Sequence, residues 1–161
     1  MASVLVVDDE VDIRDAVSEL LADEGYVVQT AGDGAEALRK ARDLHPSLVL
    51  LDLMMPGMNG WQVIEALILA PETAGIPVIL QTTAEDLESF EKARRRGVAA
   101  FISKPFRLNE VIETCRRILE GARPLQGRSS LEHEGPAVWL REQDVRWRWL
   151  VILLLPRKRL R

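Results

Sequence analysis

The sequence has few of the features that typify secreted or membrane-spanning proteins. Its 161 residues include one cysteine, Cys115, which excludes an internal disulfide and favours a reducing compartment such as the cytoplasm. The apolar run at residues 150–155 is far shorter than the roughly 20 residues that a membrane-spanning helix needs. The N-terminal residues do not resemble a signal peptide. Aromatic residues are scarce, but apolar residues make up 47% of the chain, enough for a buried core.

Charge is distributed unevenly along the chain. Residues 1–120 contain 12 Lys or Arg and 21 Asp or Glu, a net charge of −9. Residues 121–161 contain 9 Lys or Arg and 4 Asp or Glu, a net charge of +5. An acidic body with a basic tail predicts two parts with different roles.

Short apolar runs with strand composition occur at five places, separated by segments with helical periodicity. The runs occupy residues 4–7, 27–31, 48–51, 78–80 and 99–102. In the first intervening segment, Ile13, Val17 and Leu20 recur at helical spacing before Gly25 ends the pattern. Five strands alternating with five helices, each strand apolar almost throughout, predict a parallel sheet covered on both faces.

The start and end signals of the helices support this alternation. Asp33 with Glu36, and Asn59 with Gln62, have the spacing of capping boxes at the second and third helices. The fourth helix is predicted over residues 87–96, where arginines and then a glycine mark a helix C-terminus. The fifth follows at Leu108, Val111, Ile112, Cys115, Ile118 and Leu119.

The regular pattern ends near Gly121, which divides the chain into three predicted parts. Residues 1–121 are predicted to form the α/β domain. Residues 122–136 are rich in Gly, Pro, Ser and charged residues and are predicted to form a linker. Residues 137–161 form a basic, Trp-rich extension. We favour packing of this extension on its own domain or on a second copy in a homodimer. The alternatives are contact with a membrane surface and contact with nucleic acid, and the tail is too short for a standard winged-helix DNA-binding domain.

Polar side chains stand at the carboxyl ends of four predicted strands. They are Asp8 and Asp9 after the first strand, Asp52 after the third, Thr82 after the fourth and Lys104 after the fifth. In open α/β sheets this edge is where ligands bind.

Three neighbouring carboxylates need a proton or a cation, and oxygen ligands favour Mg²⁺. The ammonium of Lys104 and the hydroxyl of Thr82 suit a phosphoryl group beside that ion. Asp52 can then act as a nucleophile that forms an aspartyl-phosphate.

Four segments carry a resemblance to a known family. VLVVDDE, LVLLDLMMPGMNG, PVILQTTAED and FISKPF, in order within residues 3–120, closely resemble the receiver domain of two-component response regulators. The resemblance implies a flavodoxin-like (βα)5 fold with strand order 2-1-3-4-5. It also implies that Asp52 is the phosphoacceptor, that Asp9 binds Mg²⁺ directly with help from Asp8, and that the backbone carbonyl of Met54 is the remaining protein ligand.

The same resemblance assigns the residues on the last two strands. Lys104 pairs with the phosphoryl group, and the Lys104–Pro105 peptide is expected to be cis. Thr82 is the favoured switch hydroxyl, with Thr83 as the alternative one residue later. Phe101 occupies the position of the switch aromatic residue, and it lacks the hydroxyl of a tyrosine.

The resemblance implies a phosphorylation switch and not a metabolic enzyme. A histidine kinase or phosphotransfer protein donates to Asp52, and the change reaches a partner through the fourth predicted helix, the fifth strand and the fifth helix. One alternative is a receiver that dimerises constitutively and whose output is set by the tail. Another is a phosphohydrolase with an aspartyl nucleophile. Such enzymes commonly have a second Asp two residues after the first, and Met54 at that position argues against this alternative.

Overall fold

The computed structural model describes residues 1–83, 92–93, 95–121 and 139–140. Six strands form one sheet: β1 (Ser3–Val7), β2 (Val27–Ala31), β3 (Leu48–Asp52), β4 (Val78–Thr83), β5 (Ala100–Lys104) and β6 (Trp139–Leu140). Four helices have full bounds: α1 (Val11–Asp23), α2 (Gly34–Leu44), α3 (Gly60–Leu69) and α4 (Leu108–Leu119), which is the fifth helix predicted from sequence.

The sheet confirms the predicted topology. Its order is β2-β1-β3-β4-β5-β6, and the first five strands are parallel. The chain therefore forms the five-stranded, doubly wound sheet with order 2-1-3-4-5 that the resemblance implied. At the β5 edge, β6 adds a short antiparallel pair that the sequence pattern did not predict.

Three strands, β3, β4 and β5, end later than the sequence predicted. β4 continues to Thr83, so Thr82 lies inside the strand, opposite Ser103 of β5. Asp52 and Lys104 are the last residues of β3 and β5. Where a strand ends depends on its hydrogen bonds to the neighbouring strand. The pattern of apolar residues therefore does not predict the last residue of a strand.

Local signals explain where the helices begin. Asn59 and Gln62 form the predicted capping box of α3, each side chain accepting a hydrogen bond from the backbone N–H of the other. At α2 the prediction is half right. Asp33 accepts from the N–H of Glu36, but the Glu36 carboxylate accepts from Gly32.

The fourth predicted helix lies largely outside the described residues. Its described members Lys92, Ala93 and Arg95 are helical. Gly97 follows with φ of 79°, a left-handed conformation that glycine adopts readily at a helix end.

The two faces of the sheet carry separate hydrophobic cores. One face packs Leu51, Leu80 and Phe101 against α2 and α3. The other packs Leu50 and Ile102, among others, against α1 and α4. β3 is buried along its whole length, as expected for a central strand of a doubly wound sheet.

The tail is described only at Trp139–Leu140. The predicted linker at residues 122–136, and most of the extension at residues 137–161, lie outside the described residues. Among the helices that the structure describes, none has the length and hydropathy to cross a membrane.

Candidate functional site

Alternation along the strands brings four polar side chains to one face at the carboxyl edge of the sheet. Asp8, Asp52, Gln81 and Lys104 each lie two residues beyond a core residue of the α1 and α4 face. These core residues are Val6, Leu50, Ile79 and Ile102. Since side chains two residues apart share a face, the four polar groups form a row at the top of that core.

Lys104 joins the two buried carboxylates of this row. Its Nζ lies 2.9 Å from Oδ2 of Asp8 and 3.3 Å from Oδ1 of Asp52. Asp8 and Asp52 are almost fully buried, so that their negative charges need a partner inside the protein. The ammonium of Lys104 supplies it, in contact with both acids.

Asp9 completes a cluster of three acids. One carboxylate oxygen from each of Asp8, Asp9 and Asp52 lies within 4.8 Å of the other two. Carboxylate oxygens are hard ligands of the kind that Mg²⁺ binds, and the ion usually keeps several waters beside one or two carboxylates. This donor set therefore fits Mg²⁺, and Asp9, the least buried of the three, lies on the solvent side.

The charges of the cluster alter the pKa of two of its groups. Burial raises the pKa of Asp52 above its usual value, the charge of Lys104 opposes this, and the charge of Asp8 adds to it. Burial alone would lower the pKa of Lys104, but the hydrogen bond to Asp8 and the charges of both acids outweigh burial and raise it. Lys104 is therefore a firmly protonated cation beside a carboxylate that is costly to ionise.

Backbone groups hold the acids in place. The backbone N–H of Met54 donates to the carboxylate of Asp52. Oδ1 of Asp8 accepts from the N–H of Glu10 at 2.9 Å, and the carbonyl of Asp8 accepts from Nη1 of Arg14 at 2.7 Å. These contacts fix the loop that follows β1.

Close packing behind Asp52 explains a glycine of the loop. A Cβ at Gly60 would lie 2.6 Å from the backbone oxygen of Asp52, closer than side-chain carbons approach. The N–H of Gly60 donates to the carbonyl of Leu53 at 2.9 Å. Glycine at this position therefore lets the start of α3 lie directly against the end of β3.

The two switch residues implied by the resemblance share the opposite face. Thr82 lies two residues beyond Leu80, which pairs in register with Phe101, so that Thr82 and Phe101 are diagonal neighbours. Both are buried, whereas Thr83 is exposed. Burial beside Phe101 supports Thr82 over Thr83 as the hydroxyl that responds to the site.

The Lys104–Pro105 peptide is cis, as predicted.

Cys115 is fully buried on α4, and burial raises the pKa of its thiol to about 12. The cysteine is therefore an apolar core residue and not a nucleophile.

Sequence reasoning missed two residues that contact or adjoin the cluster. Gln81 is buried beside Asp52 in the sheet register, and its side-chain oxygen has no hydrogen-bond partner among the residues that the structure describes. An amide directly after the apolar run VIL was the available signal. The sequence contained no comparable signal for Arg14, because a cationic residue on an amphipathic helix usually faces solvent.

Related proteins agree with this architecture. Residues 4–116 match the profile of the family described as response regulator receiver domain. TcrX of Mycobacterium tuberculosis, named a probable transcriptional regulatory protein, is 38% identical over 117 residues, which cover 73% of this chain and 49% of TcrX. PilH of Pseudomonas aeruginosa is 32% identical over 121 residues, 75% of this chain and 100% of PilH. The chain spans about half the length of the first relatives that it matches.

Solved structures show the same fold. The chemotaxis protein CheY4 of Vibrio cholerae superposes with a TM-score of 0.70 at 35% identity, covering 74% of this chain and 99% of CheY4. The receiver domain of NtrX from Brucella abortus superposes with a TM-score of 0.68 at 37% identity, with coverage of 74% and 99%. Since the family profile spans more than half of the chain, this protein belongs to the receiver domains of two-component response regulators.

Proposed function

We propose that Asp52 accepts a phosphoryl group from the phosphohistidine of a sensor histidine kinase or a phosphotransfer protein. A carboxylate oxygen of Asp52 forms the new O–P bond while the N–P bond of the donor breaks, and the imidazole leaves with the electron pair of that bond. The observation that carries the proposal is the contact of Lys104 with both Asp8 and Asp52 at the carboxyl edge.

Lys104 has the position to stabilise the product. A phosphoryl group on Asp52 adds negative charge within reach of the ammonium, which already lies 3.3 Å from the carboxylate. Movement of Lys104 from Asp8 to the phosphoryl oxygens would exchange one charge-assisted hydrogen bond for another. The raised pKa of Lys104 keeps it protonated for this role.

Mg²⁺ would be held by the carboxylates of Asp9, Asp8 and Asp52 and by the backbone carbonyl of Met54. Bound there, the ion would supply positive charge that offsets the negative charge of the transferring phosphoryl group. The grouping of the three carboxylates supports this assignment. Because Asp8 already has Lys104 as a partner, Asp9 is the acid with most freedom to turn toward an ion.

The signal would leave the site through Thr82 and Phe101. A phosphoryl group on Asp52 attracts the hydroxyl of Thr82, and the movement changes the space beside Phe101 in the α2 and α3 core. Because Phe101 has no hydroxyl, its response depends on packing alone. The change would then reach a partner through β5, α4 and the fourth predicted helix. We assign this signalling to the cytoplasm.

Intact mass spectrometry after incubation with acetyl phosphate and Mg²⁺ tests the proposal. The wild type is expected to gain one phosphoryl group, and the Asp52→Asn variant none. Asp15→Asn is the matched control, because Asp15 is an exposed acid on α1 outside the cluster. It should be phosphorylated like the wild type. An unmodified wild type, or equal modification of the Asp52 variant, would refute the assignment.

A metal dependence separates the role of the acid cluster from that of Asp52. Chelation with EDTA should abolish phosphorylation of the wild type, and Asp9→Asn should raise the Mg²⁺ concentration needed for it at least about tenfold. Unchanged phosphorylation in EDTA would contradict the magnesium assignment and leave Asp52 as the acceptor.

A further inference from the structure

The two edges of the parallel sheet differ in burial. β2 forms one edge, and its residues alternate between exposed and half-buried until the buried Ala31. β5 lies at the other end of the parallel sheet, yet its residues Ala100, Phe101, Ile102 and Ser103 are all buried. An edge strand presents unpaired N–H and C=O groups that attract another strand. The cores on the two faces bury the side chains of β5, but the backbone N–H and C=O groups on its outer side need a separate partner.

β6 lies on that outer side. Trp139–Leu140 runs antiparallel to β5, with Phe101 opposite Trp139 and Ala100 opposite Leu140. Within the described ranges, this is the one strand that pairs with β5 besides β4. The partner of Trp139 is the residue through which we propose that the phosphorylation signal passes.

Connection within one chain favours this pairing. Seventeen residues separate Gly121 from Trp139, and a connection of this length gives an effective concentration on the order of millimolar. A two-residue strand can then compete with strands of other molecules at micromolar concentration. The net charge of +5 in the tail and −9 in the body also draws the two parts together.

We propose that the tail acts as an intramolecular edge strand, in which Trp139–Leu140 occupies β5 beside Phe101. A partner that adds a strand to β5, including a second copy of this chain, must first displace the tail. The tail thus determines which molecules reach the edge nearest the proposed switch residue. This inference concerns the unphosphorylated protein and does not depend on the phosphorylation chemistry.

Hydrogen–deuterium exchange of the full chain, measured without phosphoryl donor, tests the proposal. In a Trp139→Pro, Leu140→Pro double variant, the tail loses the donors of the β6 ladder, because proline has no backbone N–H. Amides in a peptide spanning residues 98–103 are expected to exchange at least about tenfold faster than in the wild type. The control is Ser129→Pro with Ser130→Pro, two prolines in the predicted linker, which should leave this exchange unchanged.

Circular dichroism of the double variant should show an intact receiver fold, so that faster exchange reports the edge and not global unfolding. Exchange at residues 98–103 that is the same in wild type and double variant would overturn the proposal. Protection that falls when the wild type is diluted from about 100 to about 1 µM would also overturn it, because a second copy would then supply the strand. Protection independent of concentration supports an intramolecular strand.

Discussion

The interior of the sheet and its carboxyl edge use the same strands for opposite purposes. In the interior, residues such as Leu50 and Ile79 are fully buried and pack within a hydrophobic core. Two residues further along, Asp52 and Gln81 are almost as buried, but Asp52 carries a charge and Gln81 an amide oxygen with no partner within the described part of the chain. The interior therefore stabilises the fold, and the edge stores groups whose burial costs free energy.

This difference is what a switch requires. A site whose charges were already fully compensated would change little when a phosphoryl group or a cation was added. At the edge, Asp52 is buried beside another acid, with one ammonium shared between them. A ligand that changes the charge there alters the balance of several contacts at once. Substitutions in the interior should lower stability, and substitutions at the edge should change how stability depends on Mg²⁺ and pH.

The largest effect on stability is expected in the interior. Leu50→Ala leaves a cavity in the middle of β3, and the free energy of unfolding should fall by about 2–5 kcal/mol. Urea denaturation followed by circular dichroism measures this. Leu44→Ala, at an exposed position on α2, is the control and should change little. An equal loss in both variants would show that packing depth does not distinguish them.

A smaller and Mg²⁺-dependent effect is expected for Lys104→Met at the edge. Loss of the ammonium leaves the buried Asp8 and Asp52 without this cation, and the free energy of unfolding in EDTA should fall by about 1–3 kcal/mol. Addition of Mg²⁺ should restore a large part of the loss. Arg39→Met, which removes an exposed ion pair with Asp43, should have almost no effect. If Mg²⁺ stabilised both variants equally, the cluster would not be the binding site.

Asp52→Asn should not lower stability, although it should abolish phosphorylation. The pKa of Asp52 is raised by folding, so its ionisation destabilises the folded state once the pH exceeds the unfolded value of about 3.9. In EDTA at pH 7 the variant is expected to be at least as stable as the wild type, because burial raises the pKa of Asp52 and makes its ionisation unfavourable in the folded state.

Acidification to about pH 4 should reduce that advantage, because the raised pKa of Asp52 means that the folded protein binds this proton before the unfolded chain does. Urea denaturation at both pH values measures the difference between the two proteins. A variant clearly less stable than the wild type at pH 7 would mean that the Lys104 contact outweighs burial and the repulsion from Asp8.

The smallest effect is expected for Gln81→Leu. This change removes a buried oxygen for which no described residue supplies a hydrogen bond, and it keeps a side chain of similar size. Unfolding free energy should rise by about 1 kcal/mol, because the desolvation cost of the amide disappears. Gln29→Leu, at an exposed position of β2, should be neutral. A clear loss of stability in Gln81→Leu would imply a hydrogen bond to a bound water.

Much of the fold could be predicted because the patterns that encode it are local. Apolar runs of three to five residues predicted five strands, and the Asn59 capping box predicted the start of α3. Strand ends were harder, since β4 continues to Thr83 through pairing with β5. That pairing involves residues some twenty positions away in the chain.

The candidate site could be predicted as a set of residues but not as a set of contacts. Asp8, Asp9, Asp52 and Lys104 follow from their places at strand ends, because parallel strands end at one edge. Only the tertiary structure brings Lys104 closer to Asp8 than to Asp52, because the choice depends on distances across three strands.

The sequence by itself determined the family, the alternation of strands and helices, and the identity of the acids. These follow from residue types at fixed spacings along the chain. The tertiary structure decided that Gln81 is buried beside Asp52, and that Trp139–Leu140 pairs with β5. Both facts depend on contacts between segments that are distant in the chain, and local sequence patterns do not predict such contacts.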